Sequence, residues 1–148
     1  MKKLVIAALI CAAPAISTAQ EAKDTVAARQ GFYKLLGANM GVLSGMAKGE
    51  MDYTAEGAQT AADNIALLTQ YNMMHLFAPG TSSADVEGTR ALPAIWEDMA
   101  GVQEKGAAFK AAAENMQSVA GQGKDQMAGA LGQLGGACKS CHDDYRAK

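Results

Sequence analysis

The feature that most constrains this chain is Cys138-Lys139-Ser140-Cys141-His142, after which only six residues remain. Two thiols that add to the two vinyl groups of one porphyrin need a fixed spacing. A histidine directly after the second thiol is placed to ligate the iron. The stretch therefore reads as a c-type attachment site for one covalent haem c. On a helix Cys138, Cys141 and His142 fall at i, i+3 and i+4 and share a face, which would lie on the haem. A structural zinc site would want a second ligand pair that the chain does not offer, and a thioredoxin-like thiol pair would want a βαβ setting.

The other end of the chain fits that chemistry. Lys2 and Lys3 precede an apolar run from Leu4 to Ile16, interrupted by Pro14, and Ser17-Thr18-Ala19 supplies small residues for cleavage. This predicts a secretory signal peptide over 1–19, removed after Ala19, and a soluble domain over 20–148 with no membrane anchor. Cys11 follows Ile10 where a lipoprotein signal would want a small residue, so Cys11 is expected to leave with the signal. Haem is joined to exported thiols outside the cytoplasm in bacteria, which points to the periplasm. With Lys2 and Lys3 gone, 11 of the 13 Lys and Arg face 15 Asp and Glu, leaving a net charge of −4. Without a basic cluster, that balance argues against nucleic acid and anionic membrane surfaces.

From Asp24 onward Ala, Leu, Met, Lys, Glu and Gln dominate with no alternating strand pattern, so the fold class is all-α. Turn residues divide it into four helices: Thr25 to Lys48 with Asp24 as N-cap and Gly49 as stop; Thr54 to Leu76; Pro93 to about Met116, closed by Gly121-Gln122-Gly123; and Lys124 to Arg146. Val26, Tyr33, Leu36, Met40, Leu43 and Ala47 form a heptad-like seam on the first. Ala58, Ala62, Ile65 and Leu68 or Thr69 would line the second, and Met127, Leu131, Leu134 and Cys138 the fourth. Gly135-Gly136 would permit a close approach just before the haem. The longest connection runs from Phe77 to about Thr89, since Phe77-Ala78-Pro79-Gly80-Thr81 forbids helix. The expected architecture is an antiparallel four-helix bundle around a covalent haem. Trp96 and Met99 read as packing residues.

Arg29 breaks the first seam. A guanidinium turned toward a core needs an anion, and the haem propionates are the candidates; the alternative is a side chain that snorkels past the bundle end. His75, near a helix end, reads as solvated or carbonyl-capping rather than as a second iron ligand.

Together the signal, the Arg29-Gln30 pair, the Phe77-to-Thr81 loop, Ile95-Trp96 after Pro93 and the terminal run from Cys138 to Arg146 resemble cytochrome c prime, the class II c-type cytochromes. The likeness covers essentially all of 20–148. In class I cytochromes the motif lies near the N-terminus and a downstream methionine completes the iron; here no methionine follows His142. The resemblance implies a left-handed four-helix bundle, a homodimer through the first two helices and a five-coordinate high-spin haem. It makes His142 the proximal ligand, Cys138 and Cys141 the thioether anchors, and Arg29 with Gln30 the residues facing a propionate. Tyr33 takes the position covering the vacant distal face, where low-spin relatives carry a methionine. Arg146 takes that of a basic residue on the proximal face, although a cation there would also suit a helix C-terminus.

An open iron behind a bulky apolar cover admits nitric oxide and carbon monoxide, small and neutral, and excludes larger or charged ligands. The leading expectation is a periplasmic gas-binding haem protein that traps or carries nitric oxide. The alternative is a periplasmic electron carrier with an unidentified redox partner. An enzyme is disfavoured, because neither a distal His-Arg pair nor a second metal cluster is visible in the sequence.

Overall fold

The computed structural model describes residues 16–148. The expected signal peptide lies outside the described residues apart from 16–19. Five helices follow in order: α1 Ile16–Lys48, α2 Ala55–Thr69, α3 Ala94–Glu97, α4 Met99–Val119 and α5 Lys124–Tyr145, with single 3₁₀ turns at Met74–Leu76 and Ala120–Gln122. Four of them are long. α1 packs on α2 and α5, and α4 packs on the same two, so the long helices close a four-helix bundle with α3 as a one-turn accessory.

The core lies where the seams meet. Leu43, Ile65, Met116, Met127 and Leu134, one or more from each long helix, are fully enclosed, and each contributes roughly 1.5–3 kcal/mol of burial. Ala58, Ala62 and Ala113 are also fully buried and keep the helices close. Met40, Ala47, Leu68 and Leu131 are half-buried against this cluster. The expected seam of α1 fails at one position: Tyr33 is 45 % exposed, and its neighbour Phe32 packs on the core instead.

Several helix ends differ from expectation. Among the described residues α1 is already helical at Ile16, well ahead of Thr25, and Asp24 is an interior residue accepting from Gln20 Nε2 at 2.8 Å rather than an N-cap. The segment ahead of it is rich in Ala, Gln, Glu and Lys, which propagate a helix. Its stop is at Gly49 as expected, with φ +76°. α2 starts from Thr54, whose hydroxyl accepts the Gly57 N–H, but it ends at Thr69 and not at Leu76. There Asn72 Oδ1 accepts the Met74 N–H at 3.1 Å and turns the chain.

The expected third helix is broken at Asp98, whose non-helical backbone (φ −132°, ψ 61°) ends α3 while its carboxylate caps Gly101 N–H at the start of α4. α5 stops one residue early. Arg146 is extended and forms an antiparallel bridge with Ala91. Beyond the chain neighbours and the helix's own backbone, no protein atom would lie within 4 Å of a Cβ on Gly135 or Gly136, so neither serves a close approach between helices.

Candidate haem-binding site

The last turns of α5 carry the motif. Cys138, Cys141 and His142 are half-buried, and both cysteines are free thiols. Burial raises the pKa of each thiol above its ordinary value; at Cys138 the neighbouring Cys141 adds to the rise, and at Cys141 the Lys105 ammonium opposes it. Lys105 reaches over from α4, donating to Ser140 Oγ at 2.7 Å and pairing with Asp144 at 3.2 Å. The His142 imidazole is pushed the other way. Desolvation first, then the charges of Arg146 and Arg90, lower its pKa, opposed by Asp143, so at neutral pH the ring keeps the lone pair that a metal ligand needs. Arg146 exerts this charge from an extended residue just past the helix.

Across from α5, Tyr33 projects from α1. Desolvation, and then the sulfur atoms of Cys141 and Cys138 acting over Arg29's opposing charge, push its phenol up to about 12. Nearly half of its surface remains open. Tyr33 and the two thiols thus share one electrostatic neighbourhood although 105 residues or more separate them in the chain.

Arg29, one turn before Tyr33, is 3 % exposed. Its Nη1 donates to Leu76 O and Thr81 Oγ1, both at 3.0 Å, and its Nη2 to Thr81 O at 2.7 Å and Thr89 Oγ1 at 3.1 Å. Its guanidinium also lies 5.1 Å from the Phe77 ring centre and 5.8 Å from that of Trp96. It does point inward, but the protein oxygens it meets are neutral. Gln30 Nε2 donates to Gly88 O at 2.8 Å, and Trp96 Nε1 to Phe77 O at 2.9 Å. The long loop is thus tied down from α1 and from α3. His75 is exposed, with Nε2 3.2 Å from the Tyr71 hydroxyl and Nδ1 3.0 Å from Asn72 O.

The donor set fits a haem. Two protonated thiols and a neutral imidazole share one helix face. Among the described residues no three His, Cys, Asp or Glu side chains gather as an ion site would require. The cytochrome c′ family model matches residues 24–146. The chain belongs to the cytochrome c′ family. It is 45 % identical to cytochrome c′ of Cereibacter sphaeroides over 100 % of this chain and 99 % of that protein. The solved cytochrome c′ from Rhodobacter Spheriodes superposes with a TM-score of 0.84 at 47 % identity, covering 86 % of this chain and 98 % of that one. A nitric oxide complex of a cytochrome c′ mutant from Alcaligenes xylosoxidans does so at 0.73 and 30 % identity, covering 86 % and 97 %.

The family makes this a c-type haem protein, a carrier or binder by class, with an all-α four-helix fold. Sequence reasoning missed Arg90, Lys105, Asp98 and Tyr145, all of which act on the motif or its helix end. Tyr145 left a signal at three residues from His142, and Asp98 as a side chain able to cap a helix; Arg90 and Lys105 are brought in by packing.

Proposed function

We propose that this chain is a periplasmic haem c protein whose iron keeps one position free for nitric oxide or carbon monoxide, and that it traps or carries nitric oxide under nitrosative stress. Residues 1–19 are the cleaved leader and 20–148 the haem domain. Cys138 and Cys141 would hold the porphyrin as thioethers and His142 would ligate its iron, which would supply the gas-binding centre.

The observation that carries the reading is Tyr33. It stands in the neighbourhood of the thiols with a phenol pushed up to about 12, so at neutral pH it would cover the side opposite His142 as a neutral phenol rather than bind there as phenolate. Met40, the methionine along that seam, is packed on the core about 10 Å farther along α1. Arg29 and Gln30 would flank a propionate. Both terminal nitrogens of Arg29 are already occupied by the loop, so its Nε–H is the donor left for that contact. Arg146 keeps the proximal side positive and His142 neutral. The relative that forms a nitric oxide complex supports the ligand class.

Absorption spectra of the purified exported protein test this. High-spin ferric and ferrous forms, with new bands on adding nitric oxide, are expected. A low-spin ferrous spectrum with a sulfur-to-iron band in the ferric form overturns the gas reading in favour of electron transfer, and mass spectrometry without covalent haem overturns both.

A further inference from the structure

We propose that Tyr145 is a positioning residue for His142, latching the last turn of α5 to the start of α4 through Asp98 and the bare backbone of Gly101. The inference rests on His142 being the iron ligand.

His142 stands three residues from the end of its helix, where turns fray most readily unless tied. Three ties are present. The Tyr145 hydroxyl donates to Asp98 Oδ2 at 2.6 Å, and Asp98 Oδ1 accepts the Gly101 N–H at 3.0 Å, so one carboxylate joins the haem helix to the cap of its neighbour. The Leu92 N–H donates to Tyr145 O at 3.0 Å, and the Ala147 N–H to Arg90 O at 2.9 Å. The Tyr145 ring is 7 % exposed. It closes directly over Gly101, where a Cβ would collide with both the phenol oxygen and the carboxylate. Tyr145 and His142 lie at i and i+3 on the same side of the turn, so rotation of that turn moves both together. Asp98 is a firm anchor because it fixes the break between α3 and α4. Neither thioether attachment nor iron ligation requires a phenol, a carboxylate or a glycine at these positions, so the cluster has a role of its own.

The test compares haem-loaded wild type with Tyr145→Phe, which keeps the buried ring and removes one O–H, and with Gly101→Ala, which keeps both polar partners and forces them apart. Amide hydrogen exchange over 142–146 is expected to quicken about tenfold, the factor for one lost hydrogen bond to a charged group. The ferric electron paramagnetic resonance spectrum is expected to change its rhombicity as the imidazole gains rotational freedom. A lower melting point with superposable spectra and unchanged local exchange in Tyr145→Phe assigns the cluster a purely structural role and overturns the proposal, whether or not Gly101→Ala folds. No gas is used, so a protein that holds haem but ignores nitric oxide fails the functional reading alone, whereas wild type without haem overturns both.

Discussion

Arg29 carries the largest single load of polar contacts at the residue scale. Its four hydrogen bonds span 47 to 60 positions of sequence and gather Leu76, Thr81 and Thr89 around one guanidinium. Phe77 and Trp96 cover the charge from the side. Removing that hub leaves the buried Thr81 carbonyl without its donor, while the Thr81 hydroxyl keeps its bond to Ala78 O, and it frees the loop. Arg29→Leu is therefore expected to destabilise the protein by about 3 kcal/mol in urea unfolding while Cys138 and Cys141 still take up haem. Arg29→Lys, with a single ammonium in place of a fork, is expected to recover less than half of the loss. Tyr33 tests the other side of the site. Tyr33→Ala should speed carbon monoxide binding in flash photolysis, Tyr33→Phe should leave it close to wild type, and Tyr33→Met should convert the spectrum toward low spin. Equal rates in all three would remove Tyr33 from the ligand's path.

At the scale of elements, helix ends are set by single polar or glycine residues that offer the backbone an alternative partner. Thr54 caps α2, Asp98 caps α4, and Gly49 ends α1 in the left-handed region. Thr54→Ala should lower stability by about 1 kcal/mol. Gly49→Ala should do so by about 1–2 kcal/mol because its φ of +76° brings a Cβ against the following carbonyl. Thermal melts of the haem-loaded forms measure both, and a loss-free Gly49→Ala would show that the α1–α2 turn can be rebuilt.

For the molecule as a whole, alkali is the informative stress. Tyr33 and Tyr145 are both pushed up to about 12, the first chiefly by desolvation and the second chiefly by its bond to Asp98. The folded state thus favours the neutral phenols. Their contribution is complete below the unfolded value of 10.0 and is lost as pH rises toward about 12, because the unfolded chain releases its protons first. The urea midpoint should fall between pH 10 and 12, and less steeply in Tyr145→Phe. At the acid end Asp98, lowered by its bonds to Tyr145 and Gly101, contributes above the ordinary carboxylate range and ceases to as pH falls through it. On the outer face of α1 and α2, Leu35 and Leu67 are 58 % and 64 % exposed beside Phe32 and Tyr71, along an apolar groove. The homodimer expected through these helices makes Leu67→Glu a monomer in sedimentation; an unchanged sedimentation coefficient would place the partner elsewhere.

The sequence by itself determined the chemistry and the long helices. Cys138, Cys141 and His142 announce a haem because thioether formation and iron ligation are local in sequence. Leu43, Ile65, Met116 and Leu134 announce a bundle because helical periodicity is a property of neighbouring residues. Asp98 and Asn72 also stood in plain view, but a side chain that can end a helix does so only where the surrounding contacts favour it; Asp24, equally able, lies inside α1. Tertiary structure alone decided which groups act on the motif. Lys105 from α4 and Arg90 from the long connection reach the motif through packing, and no spacing along the chain encodes such distances; Tyr33 is legible on α1, but only packing sets its phenol beside the two thiols. It also decided the company of the buried charge. Arg29 is legible as a cation on an apolar seam, but the oxygens of Leu76, Thr81 and Thr89 that receive it are fixed by where the loop is folded, since a buried guanidinium bonds with whichever acceptors the completed fold brings within reach.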